Sequence, residues 1–293
     1  MKRIRLILLA AMTMATMLVI SGVGASSALA ASGPLWLVNN FKECQFTQPN
    51  GNYSTLPECV KNENFGAGSN WSAVLTSGLL GPNVQGGGIP ASALNLGNFV
   101  LHTSLITIIC KHMHSEVALL GGVPAQDDAN IHFLECEVEG HSSCTVNSPG
   151  ASTGLILVTG VKTKVIYLGT KKEAEKEEGK LGDLFTPAGG ATSGETFVEL
   201  VIGGTGCPLF TKGEQEVKGS VIGEIAPVNS MAKEGKQIFP TTAIKEGWQW
   251  VSKGKVEPVE KVSLNVFGVI EAVQSGEADV SLNSGEEWGV TRS

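Results

Sequence analysis

Alternation of apolar and polar residues, repeatedly interrupted by glycine, is the feature that most constrains this chain. In "VEKVSLNVFGV" the side chains of Val262, Leu264 and Val266 face one way, and those of Lys261 and Ser263 face the other. A period of two is typical of strands with one buried face, and the 37 glycines suit frequent turns. The pattern predicts an all-β fold, an antiparallel β-sandwich or a partly open barrel.

Similar short patterns recur along the chain and predict further strands. The segments "EVKGSVIGEI" and "GEADVSLNS" alternate in the same way. One segment departs from this rhythm: "TKKEAEKEEGK", residues 170–180, is rich in helix formers. It predicts a short exposed helix with Thr170 as its N-cap and Gly179 as its end. The other predicted strands are 71–76, 99–109, 131–138, 155–159, 164–168 and 197–202.

The first thirty residues have the features of a secretory signal peptide. Lys2, Arg3 and Arg5 precede an apolar run, and the run ends at the small-x-small motif of residues 28–30, "ALA". We therefore predict export with cleavage after Ala30. An uncleaved membrane anchor is the alternative. The sequence contains no later apolar stretch long enough to cross a bilayer, so we expect no transmembrane segment after cleavage.

The charge balance argues against nucleic-acid partners. The full sequence carries 21 basic and 28 acidic residues, a net charge of −7, and removal of the signal makes it more acidic. An acidic surface repels phosphate backbones. The partners left open are a cell-envelope or extracellular glycan, or a protein. No phosphate-binding loop or dinucleotide motif is present, and we expect no cofactor.

Six cysteines remain after the predicted cleavage, and an even number in an oxidising compartment predicts three disulfides. Cys136 and Cys144 are eight residues apart with Gly140 between them, which favours a hairpin-like pair. Locality also favours Cys44–Cys59. These two choices leave Cys110–Cys207.

Three sections are predicted from the distribution of turn residues. Residues 1–30 form the signal peptide, 31–97 a loop-rich section with a local disulfide, and 98–293 the main β domain. The connector "QGGGIPAS" marks the passage into the β domain.

The stretch "IICKHMHSE" raises the question of a metal site. On a regular strand Cys110, His112, His114 and Glu116 lie in one row, and each is a metal-ligand type. A disulfide would remove the Cys110 thiolate, and two histidines are too few for a structural zinc site. We therefore predict that this row does not bind a metal. His112 and His114 are the candidate ligands if a metal site exists.

Two other patterns raise the question of a binding site. Trp248 and Trp250 in "GWQWV" share a strand face and are candidates for stacking on sugar rings, although core packing is commoner for such residues. Asp127 and Asp128 in "QDDAN" lack the ligand spacing of a calcium loop. That segment predicts a solvated acidic turn.

Several phrases together resemble a family of secreted, β-rich proteins of soil actinobacteria that has no assigned activity. They include "PLWLVNN", "FLECEVEGHSSCTVNSPGASTGLI", "VIYLGTKKEAEKEEGKLGDLF", "KGSVIGEIAPVN" and "GEADVSLNSGEEWGV", spread over most of residues 34–290. The resemblance implies an exported bacterial β protein and transfers no site residues. The chain departs from the family in a longer cysteine-bearing insertion at 41–66.

The sequence favours an exported, non-enzymatic structural or binding protein of the cell envelope or extracellular space. Two alternatives stay open. One is a metal-binding protein centred on His112 and His114, and the other is a secreted glycan-active hydrolase. No catalytic residue is identified from the sequence; two close carboxylates in one pocket would favour the hydrolase.

Overall fold

The computed structural model describes residues 33–51, 69–80, 88–189, 194–208 and 211–292; of 41–51 and 69–78 it describes the backbone only. These residues contain eighteen strands and one short helix, and all the ladders between the strands are antiparallel. The predicted all-β antiparallel class is therefore confirmed. The elements are β1 Leu35–Gly51, β2 Ser69–Leu79, β3 Ile89–Asn95, β4 Phe99–Thr103, β5 Thr107–Leu120, β6 Gln126–Val138, β7 Cys144–Asn147, β8 Ile156–Tyr167, α1 Lys171–Glu175, β9 Leu181–Thr186, β10 Thr196–Gly204, β11 Gly213–Gly219, β12 Val221–Ala226, β13 Glu234–Phe239, β14 Trp248–Ser252, β15 Lys255–Pro258, β16 Leu264–Val266, β17 Ile270–Leu282 and β18 Trp288–Thr291.

Eight of the described strands close into a ring, and of the two predicted arrangements this is the barrel. The order around the ring is β3, β5, β6, β8, β9, β12, β13 and β17, and β17 pairs with β3 to complete it. Side chains along each strand alternate between an enclosed inner face and an outer face. The main apolar core lies inside this ring.

Two long strands, β17 and β5, change their pairing partners along their length. The second half of β17 pairs with β3 and β13, whereas its first half pairs with β4 and β16. In the same way β5 pairs with β3 near its end and with β4 near its start. From β16 the sheet continues through β11 and β10 to β7. The ring is thus extended at one end by a second set of strands that shares its core.

A three-stranded sheet covers the opposite end of the ring. Its order is β18, β1 and β2, and Trp36 of β1 and Trp288 of β18 meet there with ring centroids 5.9 Å apart. The Trp36 indole N–H donates to the carbonyl of Gln126, the first residue of β6, at 2.8 Å. Gly235 at the same end lies against the Trp288 indole, where a Cβ would collide with the ring. Both tryptophans are almost fully buried and close this end.

The two disulfides that the structure describes differ from the predicted pairing. Cys110 bonds to Cys136, and Cys144 bonds to Cys207. Cys110 and Cys136 lie directly opposite each other on β5 and β6, with Cα atoms 3.9 Å apart. The turn at Gly140 carries Cys144 away from Cys136 into β7, which pairs with β10 shortly before Cys207. Proximity in the sequence was misleading because cross-strand register decided the pairing.

Two further predictions fall outside what the structure describes. They are the signal peptide at 1–30 and the predicted bond between Cys44 and Cys59. In the parts of the chain that are described, no helix is both long and apolar enough to cross a membrane.

The helix and several strand boundaries show where local patterns were informative. Thr170 is the N-cap of α1, as predicted, and it forms a capping box with Glu173. The helix ends earlier than expected, with Lys176 as its C-cap instead of continuing to Gly179. Residues 99–109 form β4, a turn and the start of β5, not one strand. Residues 155–159 and 164–168 were predicted as two strands, but 156–167 is one strand, β8.

The described residues of the section 31–97 form three strands, β1, β2 and β3. Its last strand, β3, is part of the ring wall, and its small inward side chains Ala91 and Ala93 are buried. The glycine-rich connector before β3 had suggested a looser section.

Candidate functional site

A bulge in β8 places polar side chains on the inner wall of the ring. Ile156 and Val158 face inward, Gly160 adopts a positive φ of 67°, and Val161 and Thr163 then face inward in their turn. The Gly160 N–H donates to Asn130 Oδ1 at 2.9 Å. The extra residue of the bulge shifts the alternation by one, and this directs Lys162 outward and Thr163 inward.

Two carboxyl groups meet beside Thr163. Asp127 lies opposite Thr163 on β6, and its backbone N–H donates to Thr163 Oγ1 at 3.1 Å. Asp183 lies on the next strand, β9, and its carboxyl group is hydrogen-bonded to that of Asp127. The exposed fractions of Asp127 and Asp183 are 4% and 3%. We call these two residues the acid pair.

Burial gives the acid pair unusual proton affinities. Burial raises the pKa of Asp127 to about 6, repulsion from Asp128 adds to this, and hydrogen bonds from Thr163 and Asp183 oppose it. Burial and the charge of Asp127 raise the pKa of Asp183 well above its ordinary value. Two close carboxylates in an apolar site cannot both ionise readily, so they share a proton. Asp183 is the donor and Asp127 the acceptor.

One oxygen of the acid pair has no partner. Asp183 Oδ1 is buried and receives no hydrogen bond from the described residues. An unpaired buried acceptor is costly, and in native proteins such atoms are uncommon. Two other polar groups on the inner wall are already satisfied, since Ser115 donates to Asn130 O and Gln237 donates to Glu224 O.

The acid pair lines a cavity of about 110 Å³ inside the ring. A space of this size holds several water molecules or one small organic group. Most of its wall is apolar. Trp36 and Trp288 lie at the covered end, and among the described lining residues none is basic. Four phenylalanines that also line it form a chain of ring contacts with centroids 5.3–5.9 Å apart: Phe133, Phe99, Phe239 and Phe185.

The candidate ligand row on β5 is divided between the two faces of the sheet. Cys110 is buried and disulfide-bonded, whereas His112 and Glu116 are exposed and Met113 is buried. The prediction of one row was wrong, because the alternation slips at Lys111 and His112, which are both exposed. The slip is matched on β6, where Leu134 and Glu135 are both exposed.

The histidines on the outer face have ordinary surface partners. His112 Nε2 lies 3.6 Å from Glu135 Oε1, and both side chains are more than half exposed. His114 lies opposite His132 with ring centroids 6.4 Å apart. His141 lies elsewhere, with Nδ1 3.0 Å from Gly206 O. Within the described ranges no group of three or more His, Cys, Asp or Glu has a metal-binding arrangement.

The two tryptophans of β14 are half buried against the core. The indole N–H of Trp248 donates to Gly169 O at 2.9 Å, and Trp250 packs near Gly33 and Val123. The Trp250 indole N–H is buried and has no partner among the described residues. Their role in glycan binding stays a prediction that these contacts do not test.

Sequence reasoning missed the acid pair. "QDDAN" was predicted as a turn, but residues 126–130 begin β6, and Asp127 faces inward. A signal was present: Asp127, Ala129, Ile131 and Phe133 continue one period-two row. The two adjacent aspartates obscured it, because such residues are enriched in turns. Asp183 carried no comparable signal, since "LGDLFT" is buried throughout.

Comparisons with protein-family models, with curated proteins and with solved structures find no match to this chain. The resemblance to secreted actinobacterial proteins therefore stays a prediction.

Proposed function

We propose that this chain is an exported, non-enzymatic binding protein that holds one small, mainly apolar molecule inside its ring of strands. The observation that supports this most is the cavity inside the ring, whose wall is mostly apolar and carries the acid pair. Eight-stranded rings have a size at which the interior is either filled by side chains or holds one small ligand. Ligand sites are commonly apolar with a few placed polar groups.

Export is supported by the sequence features of residues 1–30 and is consistent with two disulfides. A cavity carrier outside the cell would meet its ligand in the medium or at the envelope surface. Protein recovered from culture medium is expected to begin at Ala31. A species that keeps Met1 and occurs only in membranes would contradict export.

A glycan-active hydrolase is the alternative function that two close carboxylates would favour. In retaining and inverting glycosidases the carboxyl groups stand about 5 Å or more apart, so that a sugar or water fits between them. Here the two carboxyl groups are hydrogen-bonded to each other. The wall around them is mostly apolar and offers few partners for sugar hydroxyls. The geometry therefore supports binding over hydrolysis.

The binding test uses a neutral fluorescent probe and a pair of variants on β3. 1-Naphthylamine, a smaller two-ring aromatic that is uncharged at pH 7.5, fluoresces at shorter wavelength when it enters an apolar site. Ala93 is buried and lines the cavity, whereas its neighbour Leu94 is 58% exposed on the outer face. Ala93→Phe places a ring in the cavity, and Leu94→Phe is the matched control on the outside.

We expect one probe per wild-type molecule, at least tenfold weaker binding in Ala93→Phe, and unchanged binding in Leu94→Phe. Thermal unfolding checks that each variant is folded. Should Ala93→Phe not fold, Ala278→Val adds two methyl groups to another buried lining position and should also weaken binding. Absence of probe binding to the wild type, or equal binding by the lining and outer variants, would overturn the proposal.

A further inference from the structure

We infer that the molecule held in this cavity is a hydrophobic amine, whose ammonium group contacts Asp127 and Asp183. This inference rests on the proposed binding function and specifies its ligand. It starts from the position of the acid pair on the cavity wall and from the unpartnered Asp183 Oδ1.

The first argument is charge. Asp127 and Asp183 are the only titratable side chains among the described lining residues, apart from Cys110, whose sulfur is in a disulfide. Asp128, the next residue on β6, faces outward and adds further negative charge. Its partner Lys162, with Nζ 2.6 Å from Asp128 Oδ2, is also on the outer face. A cation inside the ring would therefore meet attraction and no described positive charge.

The second argument is hydrogen bonding. An ammonium group is a donor only, with three N–H bonds. Asp183 Oδ1 accepts no hydrogen bond from the described residues, and the carboxylate of Asp127 has acceptor capacity beyond its bonds to Thr163 and Asp183. A ligand carboxylate would offer no donor there and would be repelled. A hydroxyl group could donate one bond but would leave the negative charge uncompensated.

The third argument is shape. The acid pair lies close to the covered end, since Asp127 follows Gln126, whose carbonyl accepts the Trp36 indole N–H. From there the apolar wall leads past Phe133 and Phe185 towards the strands that extend the ring. A molecule with one polar end and an apolar body matches this distribution. Burying an ammonium group is costly, but a close carboxylate in a low-dielectric site offsets that cost.

The test compares three ligands with the same six-carbon chain: hexylamine, 1-hexanol and hexanoate. Each competes with bound 1-naphthylamine at pH 7.5. We expect hexylamine to compete at least tenfold better than 1-hexanol, and hexanoate not to compete. Lowering the pH from 7.5 to 5 protonates the pair and should remove most of the advantage of hexylamine over 1-hexanol.

Matched variants distinguish the effect of the acid pair on ligand preference from the effect of charge on the outer surface. The double variant with Asp127→Asn and Asp183→Asn removes the charge inside and should bring hexylamine and 1-hexanol to similar affinities. Asp128→Asn removes the adjacent charge outside and should keep the preference for hexylamine. If this double variant does not fold, the pH series on the wild type carries the same test.

The outcomes distinguish this inference from the binding function. Probe binding with 1-hexanol equal to or better than hexylamine overturns the amine inference and leaves the cavity as a binding site. A preference for hexylamine that survives when both Asp127 and Asp183 are replaced by asparagine also overturns the amine inference. Failure of the probe to bind at all overturns the proposed function itself.

Discussion

The two faces of the β5–β6 pair differ in how strongly their surroundings alter the chemistry of similar residue types. On the outer face, His112, His114 and His132 are ligand-type side chains that water reaches, and the nearest acidic partner of His112 is itself exposed. On the inner face, Asp127 is a common acidic residue whose pKa is raised to about 6 by burial. Residue type alone drew attention to the outer face. Enclosure makes the inner face the stronger candidate for function.

The largest effects are expected from removing a disulfide, and one of the two described disulfides joins these two strands. The Cys110–Cys136 bond closes a loop of 26 residues, worth about 3.5 kcal/mol in the chain-entropy model. Replacing both cysteines by alanine should lower the melting temperature by roughly 10 °C. Calorimetry of the wild type and the variant, both kept under oxidising conditions, measures this difference in melting temperature.

The companion variant lacks Cys144 and Cys207, whose bond closes a longer loop of 63 residues, and the same model gives about 4 kcal/mol for it. Non-reducing peptide mapping verifies both pairs. Recovery of a peptide that joins Cys136 to Cys144 would contradict the structure at this point.

The second effect concerns the acid pair and pH. A raised carboxyl pKa means that the folded state binds the proton more tightly than the unfolded state. The resulting stability is complete below the unfolded pKa near 3.8 and is lost as the pH rises through about 6. Wild-type protein should therefore lose a few degrees of melting temperature between pH 5 and 7, beyond any loss in a double variant with Asp127→Asn and Asp183→Asn.

The outer neighbour provides the control for this pH series. Asp128→Asn removes a carboxylate that is paired with Lys162 at the surface, and its pH dependence should follow the wild type. Identical slopes in the double variant and the wild type would mean that the pair does not share a proton.

The smallest effect is expected on the outer face. Replacing His112 and His114 by glutamine should change stability by less than about 0.5 kcal/mol each, since both are surface positions without a strong partner. Elemental analysis of the purified protein should find no stoichiometric zinc or copper. One bound metal per chain, lost together with stability in the double variant, would restore the metal hypothesis.

The contrast between the faces also explains what could be predicted from the sequence. Period-two alternation and glycine turns were sufficient for the all-β antiparallel class, and the capping signal at Thr170 was sufficient for the start of α1. Local patterns failed wherever the alternation slips, at Lys111–His112 and at the Gly160 bulge. They also failed where register between distant strands decides the result, as for Cys144 and Cys207. The acid pair is of this second kind, because Asp127 and Asp183 meet only when β6, β8 and β9 are aligned.

The cover over the cavity has a consequence for how the chain folds. Trp36 and Trp288 are separated by some 250 positions in the sequence, yet each lies against the other. Such a contact has a very high sequence separation, and chains dominated by contacts of this kind fold slowly. Strand β18 must therefore be available before β1 can form its pairing with it. Until then the apolar walls and open strand edges are exposed to other chains, so late folding and aggregation compete for the same surface.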